Sequence, residues 1–442
     1  MTLPPTHVWL NALLLGLQSV QAALLWGLHA LGIAGDSHGA PAWPWNVRIA
    51  GENLVIDVAL ARQFAWMLAA LAFALVCVLI AIGWRRARRW ALAAAIAALV
   101  FAPWPSPSLW LTAAVPTSFH PNPSGFTVES IARGSHVYTA QCAACHGADG
   151  RGEGPQAAAL RRWPPTMASA LLSRRADGEL FWHVLYGMRD DAGVTMPGFA
   201  GRLSDKEIWA ALDYMRVLSA SAGMAAGGSW PVPIALPALT VKCGDTPARS
   251  LAQWRGTQRV RVVAVDARHP PPFEDPRFLT LLIRRDETGV FDTRLKASPG
   301  LASGVRRVSA PLADGLRASA RPALSTALAT VTAPTAPSAR TTTLGARADC
   351  LADSPDAWPV FAQIAGTSEA DLAGTEWLAD RDGWLRALAP AGKRGWADGG
   401  LLCTTSTAAA SLPASAARDP LTDTLRQMDG EPVRFIKGGF VH

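Results

Sequence analysis

The segment Cys142-Ala143-Ala144-Cys145-His146 contains the residues of this 442-residue chain whose types and spacing are best suited to chemistry. Two thiols three positions apart can each add to a vinyl group of one haem, and the imidazole that follows can then ligate the iron. With six cysteines and nine histidines in the chain, a chance match to this pattern is on the order of one in a thousand. The spacing therefore predicts one covalent haem c at Cys142 and Cys145, with His146 as an axial ligand.

Two other kinds of site also use closely spaced cysteines, namely a dithiol redox pair and half of a zinc site. A redox pair normally follows a strand and precedes a helix, whereas the residues ahead of Cys142 have the pattern of a helix. A four-ligand zinc site needs a second Cys or His pair at suitable spacing, and the sequence has none nearby. Both alternatives are therefore disfavoured relative to haem.

The second axial ligand of the iron has to come from further along the chain, and Met196 is the first candidate. It lies in the Gly and Pro segment 195–199, which can fold back over the haem. A thioether ligand keeps the iron six-coordinate and raises its reduction potential relative to a second His. Met188 is the next candidate, and Met167 and His183 stay open because spacing alone cannot place a loop.

Helices at the two ends of residues 126–219 are expected to position these groups. Thr127 can cap the first helix, in which Gly134 leaves room for another helix to approach closely. Ser204 and Glu207 form a capping box at the start of the last helix. The loop-rich middle makes a poor core by itself, and a large apolar cofactor would fill it.

These residues resemble a class I cytochrome c domain. In that family the first and last helices cross with a glycine against an aromatic residue, which implies a contact between Gly134 and Tyr214. The resemblance covers residues 126–219 and implies an all-α fold with His146 and Met196 as axial ligands. The motifs that carry it are Ser130-Ile131-Ala132-Arg133-Gly134 through Gly147, Gly150-Arg151-Gly152-Glu153-Gly154-Pro155, Met196-Pro197-Gly198-Phe199, Leu203 to Ile208, and Tyr214-Met215-Arg216.

Three apolar segments near the N-terminus reach the length of about 20 residues that a bilayer requires. They run from Val8 to Ile33, from Phe64 to Trp84 and from Trp90 to Leu111. The first lacks the basic start of a cleaved signal peptide and is too long for one. Prolines at positions 103, 105 and 107 predict that the third segment changes from helix to extended chain near Ala102.

Four arginines at positions 85, 86, 88 and 89 lie in the short connection between the second and third segments. Short Arg-rich connections stay on the cytoplasmic side, so everything after Leu111 is expected on the periplasmic side of a bacterial inner membrane. A basic cluster between two spans is an improbable nucleic-acid site, and the net charge of +7 is spread over the chain. The lipid bilayer is therefore the expected partner of this cluster.

A wider resemblance joins the apolar segments to the haem motif. The segments themselves, the loop 44–48 and Pro116-Thr117-Ser118-Phe119 resemble bacterial proteins in which a copper-resistance D type membrane domain is fused to a cytochrome c. Three spans are far fewer than that membrane domain has, which puts any transport function in doubt. His7, His29 and His38 could bind copper or a b-type haem, although histidines at a membrane interface are the commoner interpretation.

The C-terminal part has the pattern of an α/β domain. Segments 260–265 and 278–283 have the branched, apolar character of strands, and 375–378 with 384–386 read as a hairpin. With residues 249–256 they resemble a thioredoxin-like or peroxiredoxin-like fold. The active thiol of such a fold would follow its early central strand, yet 266–270 contains no Cys, so thiol catalysis is not expected.

Three cysteines and one long segment of this part are left without an assigned role. The pairing of Cys243, Cys350 and Cys403 stays open, since disulfides persist outside the cytoplasm but an odd count leaves one unpaired. Residues 296–348, rich in Ala, Ser, Thr and Pro, read as a flexible insertion or linker.

The sequence thus predicts a multi-domain, membrane-anchored electron carrier rather than an enzyme. One alternative is the cytochrome subunit of a respiratory oxidase or dehydrogenase. Another is a copper-resistance-type membrane protein, which the lack of a Met-rich or His-rich cluster in the soluble part disfavours. The predicted parts are a transmembrane anchor at 1–115, a tether at 116–125, the cytochrome c domain at 126–219, a linker at 220–237, and the thioredoxin-like region lacking active cysteines at 238–442.

Overall fold

The structure is a computed structural model that describes residues 6–167, 175–228, 230, 232–244, 246–254, 256–272, 275–285, 350–392, 396, 420–433, 435–436 and 439–440. The predicted insertion 296–348 and Cys403 lie outside these residues. The side chain of His7 also lies outside what is described.

Within the described part of the chain, two helices near the N-terminus are long and apolar enough to cross a membrane, with candidate spans Ala12–Ala30 and Val58–Gly83. The third predicted segment forms a helix of 14 residues that ends where Ala102 turns to extended backbone, as the prolines predicted. At 1.5 Å per residue this helix is about 21 Å long, which is less than a hydrocarbon core of about 30 Å. The helices here are α1 Thr6–Ala30, α2 Gly51–Ile56, α3 Val58–Gly83, α4 Arg88–Phe101 and α5 Pro107–Trp110.

Small side chains bring α3 and α4 together. Ala74, Cys77 and Ala81 of α3 pack on Ala91 and Ala95 of α4, and Cys77 is buried there as a small apolar residue. Short antiparallel pairs close the loops on either side of these helices. They are β1 Asp36–Ser37 with β2 Ala40–Pro41, and β3 Val47–Ile49 with β4 Leu111–Ala113.

The next part of the chain is helical, and its first and last helices cross closely. Thr127 caps the first helix by accepting from the Ser130 N–H, and Ser204 with Glu207 forms the predicted capping box of the last. An ideal Cβ on Gly134 would lie 2.0 Å from the Ala210 carbonyl oxygen and 2.9 Å from the Tyr214 Cβ, so the predicted contact is confirmed. The elements are α6 Val128–Gln141, α7 Ala143–His146, α8 Asp177–Tyr186, β5 Met188–Asp190, β6 Gly193–Met196 and α9 Asp205–Gly227.

The segment predicted as a tether is packed against α8. Thr117 is fully buried, and its hydroxyl donates to the Gly178 carbonyl at 2.6 Å. An ideal Cβ on Gly178 would meet the Thr117 carbonyl oxygen at 1.6 Å, so only glycine fits there. The Arg48 Nε of β3 also donates to Glu179 at 2.5 Å, with both side chains buried. Residues 116–125 are therefore held by specific polar contacts that a proline-rich composition does not reveal.

The predicted linker is buried as well. Trp230, Ile234 and Leu236 belong to the same hydrophobic cluster as Ile131 of α6 and Trp377 of the C-terminal sheet. The Trp230 indole donates to the Ile364 carbonyl at 3.1 Å. Burying an apolar side chain is worth about 1.5–3 kcal/mol, which favours a shared core over an exposed connection.

The described residues of the C-terminal part form a mixed sheet in the order β13-β12-β9-β10-β11-β7-β8. Its parallel centre is β9, β10 and β11, and β12 and β13 form the predicted hairpin. Cys243 and Cys350 are opposite each other on β7 and β11 and form a disulfide. The elements are β7 Thr240–Cys243, β8 Arg249–Ser250, β9 Arg259–Val265, β10 Phe278–Arg284, β11 Cys350–Ala352, α10 Ala357–Ala365, β12 Glu376–Ala379, β13 Leu385–Ala389, α11 Pro420–Gly430, β14 Phe435–Ile436 and β15 Gly439–Phe440.

Candidate functional site

The Cys142 to His146 segment forms a short helical turn at the end of α6. The Cys142 N–H still bonds the Tyr138 carbonyl, and the Cys142 carbonyl accepts from the N–H groups of both Cys145 and His146. Because the two cysteines are three positions apart on helical backbone, their side chains leave the turn on the same side. Both are half-buried free thiols.

The loop after His146 satisfies the carbonyl groups that this turn leaves open. The N–H groups of Gly152, Gly154 and Gln156 donate to the carbonyls of His146, Cys145 and Ala144 at 2.8, 3.1 and 2.8 Å. Carbonyl groups at the end of a helix have no partner within it, so this loop holds the turn without depending on water.

Two glycines let the loop lie this close. An ideal Cβ on Gly154 would be 2.4 Å from the Ala144 carbonyl oxygen, and one on Gly152 would be 2.3 Å from the Pro164 oxygen. The second contact brings the Pro164 to Met167 stretch against the turn, where the Met167 N–H donates to the Gly150 carbonyl at 2.6 Å. The turn therefore has a fixed position relative to the chain on both sides of it.

His146 is half-buried in this setting, and its Nδ1 is a buried atom with no hydrogen bond among the described residues. Burial lowers the pKa of His146, and the nearby Pro165 carbonyl partly opposes this effect. A neutral imidazole with a lone pair is the form that ligates a metal. A half-buried, neutral imidazole directly after two thiols fits an iron ligand.

The two thiols fit covalent attachment. Burial, and then the neighbouring Cys145, raises the pKa of the Cys142 thiol to about 11, so this thiol is protonated at neutral pH. A protonated thiol carries the sulfur and the hydrogen that add across a vinyl double bond. The turn thus provides two available thiols and an imidazole on neighbouring residues, which is the donor set for haem c.

The crossing of α6 and α9 is tied to this turn through Tyr138. Its ring packs on Tyr214 with centroids 5.4 Å apart, and its hydroxyl donates to the Gly147 carbonyl at 2.8 Å. Burial raises the pKa of Tyr138, so the hydroxyl stays protonated and can donate. A shift of one helix against the other would therefore move the turn.

The candidates for the second axial ligand lie in different settings. Met196 is the last residue of β6 and is half-buried against the main core, whereas Met188, its partner on β5, is exposed. Met167 is buried in the core, and burial lowers the pKa of the half-buried His183 on α8. A hairpin therefore carries the two leading methionines in place of the irregular loop predicted for Met196.

Contacts fix this hairpin to α8 and to the haem-motif side of the domain. An ideal Cβ on Gly187 would lie 2.5 Å from the Met196 carbonyl oxygen, and one on Gly198 would lie 2.6 Å from the Tyr186 carbonyl carbon. Arg161, which follows the glycine-rich loop, donates to the Ala192 carbonyl at the hairpin turn. The assignment of Met196 as an iron ligand stays a prediction.

Of the histidines considered for copper or b-type haem, the two whose side chains the structure describes each have an acidic neighbour. His29 Nε2 lies 2.9 Å from an Asp36 carboxylate oxygen, and His38 Nδ1 lies 2.9 Å from one of Asp205. No group of three or more His, Cys, Asp or Glu that could hold a metal occurs among the residues that the structure describes.

Sequence reasoning missed a buried polar network beside the helix crossing. Asp213 is fully buried and accepts from Asn122 at 2.8 Å and from Ser130 at 2.8 Å, and it lies 3.6 Å from Arg216. Burial raises the pKa of Asp213, although these hydrogen bonds and Arg216 oppose the rise. An acidic residue on the apolar face of a predicted helix was the one available signal of this network.

Comparison with known proteins supports a cytochrome c domain. Residues 129–215, about a fifth of the chain, match the family model described as cytochrome c oxidase, cbb3-type, subunit III. Because that family carries haem c, the match implies a covalently bound haem and an electron-transfer role for this domain. The search of curated proteins finds no match.

Several solved structures align with parts of the chain, and two of them serve as examples. Cytochrome cL of Methylophaga aminisulfidivorans is 21% identical over 22% of this chain and 55% of its own, with a TM-score of 0.16. The reducing HAO-like protein complex of Kuenenia stuttgartiensis is 20% identical over 30% of this chain and 60% of its own, with a TM-score of 0.20. The alignments thus span little more than half of each of those chains.

Proposed function

We propose that this chain is a membrane-anchored electron carrier with one haem c, bound through Cys142 and Cys145 and ligated by His146 and Met196. The observation that carries the proposal is the half-buried imidazole of His146, directly after two thiols on a turn that its own loop holds in place. When bound, the haem supplies a centre that gains and loses one electron.

The residues around the turn would hold the haem at the end of α6. Thioether bonds from Cys142 and Cys145 and the imidazole of His146 would attach it there. Tyr138 links this end of α6 to α9. Met196 is proposed over Met188 because it faces the core while Met188 is exposed. A thioether ligand favours the reduced iron relative to a second imidazole, which suits a carrier that accepts electrons readily.

The proposed location is the periplasmic face of a bacterial inner membrane. Two helices long and apolar enough to cross a bilayer support the anchor. The arginines at 85, 86, 88 and 89 lie in the connection between α3 and α4, and the tendency of such connections to stay cytoplasmic supports the orientation. On this topology α4 and the chain after it form the third crossing.

The C-terminal sheet is proposed to be thioredoxin-like without the reactive thiols. Its parallel pair β9 and β10 next to the antiparallel hairpin β12 and β13 supports that likeness. The described residues between β9 and β10 include no helix, and 266–270 has no Cys. Its proposed role is structural, since it shares a core with α9.

Haem staining of a denaturing gel tests the central proposal. The full-length protein should give a stained band at its own mass, and Cys142→Ser combined with Cys145→Ser should remove it. Cys77→Ser is the matched control, because that thiol is buried between α3 and α4. An unstained wild-type band would refute covalent haem.

Replacing each methionine tests the second axial ligand. Met196→Ala should remove the methionine-to-iron signature from the visible and magnetic spectra of the oxidised protein, while Met188→Ala should keep it. The opposite pair of results would assign the ligand to Met188.

A second candidate function is that of a cytochrome subunit in a respiratory oxidase. The match of residues 129–215 to a family of oxidase subunits favours it. Solubilisation in mild detergent and purification through a tag on this chain should then yield a catalytic subunit with it, whereas a carrier should purify alone.

A further inference from the structure

A cavity of about 240 Å³ lies between α1, the β3 hairpin and the start of α8. Leu14, on its α1 side, also packs on the first turns of α3 at Leu60 and Phe64. The cavity is thus next to a candidate membrane span on one side and to the cytochrome c domain on the other. Its polar lining residues are Gln18, Gln21, Arg48, Ser118, His120 and Asp177.

The volume matches a small ring molecule better than a few water molecules. A cavity of roughly 150 Å³ holds benzene, and one water occupies roughly 30 Å³ in the liquid. The lining also suits a ring with polar substituents, because both α1 and the loop 118–121 contribute apolar as well as polar side chains.

His120 provides a hydrogen-bond acceptor at this cavity. Its Nε2 lies 3.0 Å from the Pro41 carbonyl oxygen, which can only accept, so Nε2 carries the proton. Nδ1 is then the acceptor, and it makes no hydrogen bond within the described part of the chain. Burial lowers the pKa of His120, with His38 acting in the same direction, which keeps the ring neutral. A ligand that donates from a hydroxyl group satisfies this nitrogen.

The charged groups at the cavity favour a neutral ligand. Arg48 is paired with Glu179 at 2.5 Å, and Asp177 is paired with Arg216. Each charge is therefore compensated by a neighbour, and a phosphate or carboxylate would have to compete with a buried ion pair.

One helix connects the cavity to the proposed haem site. Asp177, the first residue of α8, lines the cavity, and Gly187, directly after the last, packs on Met196. Ten helical residues span about 15 Å. A redox-active ring in the cavity would therefore be about one short helix away from the hairpin that carries Met196, the proposed axial ligand.

From these observations we infer that the cavity binds a lipid-soluble hydroquinone, with one ring hydroxyl donating to His120 Nδ1. This inference rests on the proposed function and names the class of its electron donor. Oxidation of one hydroquinone to the quinone releases two electrons and two protons. The two electrons would leave one at a time, either to the ferric haems of two protein molecules or to one haem that its electron acceptor reoxidises in between, while His120 would accept one proton and water the other.

Equilibrium binding to the full-length holoprotein in detergent tests the site without relying on turnover. The probe is tetramethylhydroquinone under anaerobic conditions, with the haem already reduced by dithionite so that no electron transfer occurs. Wild type should bind one equivalent by calorimetry. His120→Phe should weaken binding by about fivefold to tenfold, the loss expected for one hydrogen bond, and Ala176→Phe, which adds a ring at a half-buried lining position, should abolish it. The control is His29→Phe, because His29 does not line the cavity.

Three results would overturn the inference. They are no binding to wild type, binding that both cavity variants leave unchanged, and binding that inorganic phosphate or phosphatidylglycerol displaces. The proposed function has a separate test, because an absent haem stain would refute the electron carrier whatever the hydroquinone binding. A stained protein without hydroquinone binding would leave the carrier intact and remove this donor.

Discussion

Replacing Gly134 by Ala tests whether the crossing of α6 and α9 holds the haem turn. The added Cβ would lie 2.0 Å from the backbone oxygen of Ala210. Ordinary contact needs about 3.5 Å, so the helices would have to separate by about 1.5 Å. None of the nearest atoms is the end of a flexible side chain, because they are the carbonyl group of Ala210 and the Cβ of Tyr214. The separation would also pull Tyr138, which bonds the turn at Gly147.

The clash at Gly134 should lower the free energy of unfolding. Overpacking of a core destabilises by about 1–3 kcal/mol, and the better helix propensity of Ala offsets about 1 kcal/mol. The difference is a net loss of up to about 2 kcal/mol, which in a domain of this size should lower the melting temperature by up to about 15 °C.

Thermal melting of the full-length holoprotein, followed by haem absorbance, measures this change. Gly27→Ala in α1 is the matched control, since an added Cβ there meets nothing within 4 Å. The reasoning is refuted if Gly134→Ala melts together with the wild type and the control.

Three further changes test other parts of the fold. Replacing Cys243 and Cys350 by Ser removes a disulfide that joins residues 107 positions apart. This should lower the free energy of unfolding by up to about 4.7 kcal/mol. Urea unfolding without reductant measures the loss, and an unchanged midpoint would contradict it. Arg48→Met should lower the free energy of unfolding by about 3–5 kcal/mol, because it leaves the buried carboxylate of Glu179 without its cationic partner. Adding Glu179→Leu to this variant should recover most of the loss in the same urea assay. Burial lowers the pKa of His120 in the folded protein, so the unfolded chain takes up a proton before the folded one as the pH falls below about 6.5. The contribution of neutral His120 to stability should therefore be complete above that pH and should be lost as the pH falls through the folded pKa. Melting temperatures at pH 7.5 and 5.5 should therefore differ less in His120→Gln than in wild type.

Local signals predicted the elements around the haem motif well. The caps at Thr127 and Ser204 and the contact of Gly134 with Tyr214 all occur in the structure. Each depends on residues close in sequence or on a contact implied by family resemblance, and the match of residues 129–215 supports the same domain. In the C-terminal part, the hairpin of β12 and β13 was confirmed because it too is a local structure.

The connections between the predicted parts were harder to read. Composition predicted a tether at 116–125 and a linker at 220–237. In the structure, Thr117 is buried against Gly178, and Trp230 lies in the main core. Proline and glycine show only that a segment is irregular, whereas burial depends on what other segments place against it.

The sequence by itself determined the chemistry at Cys142 to His146, because covalent haem attachment needs residue types and spacing that lie within five positions. It also determined the apolar segments and the caps, which depend on nearest neighbours. Only the tertiary structure decided that Arg48 meets Glu179, that Cys243 pairs with Cys350, and that a cavity forms beside His120. These contacts join residues tens to more than a hundred positions apart. Such pairs are set by the packing of whole elements, which no short stretch of sequence specifies.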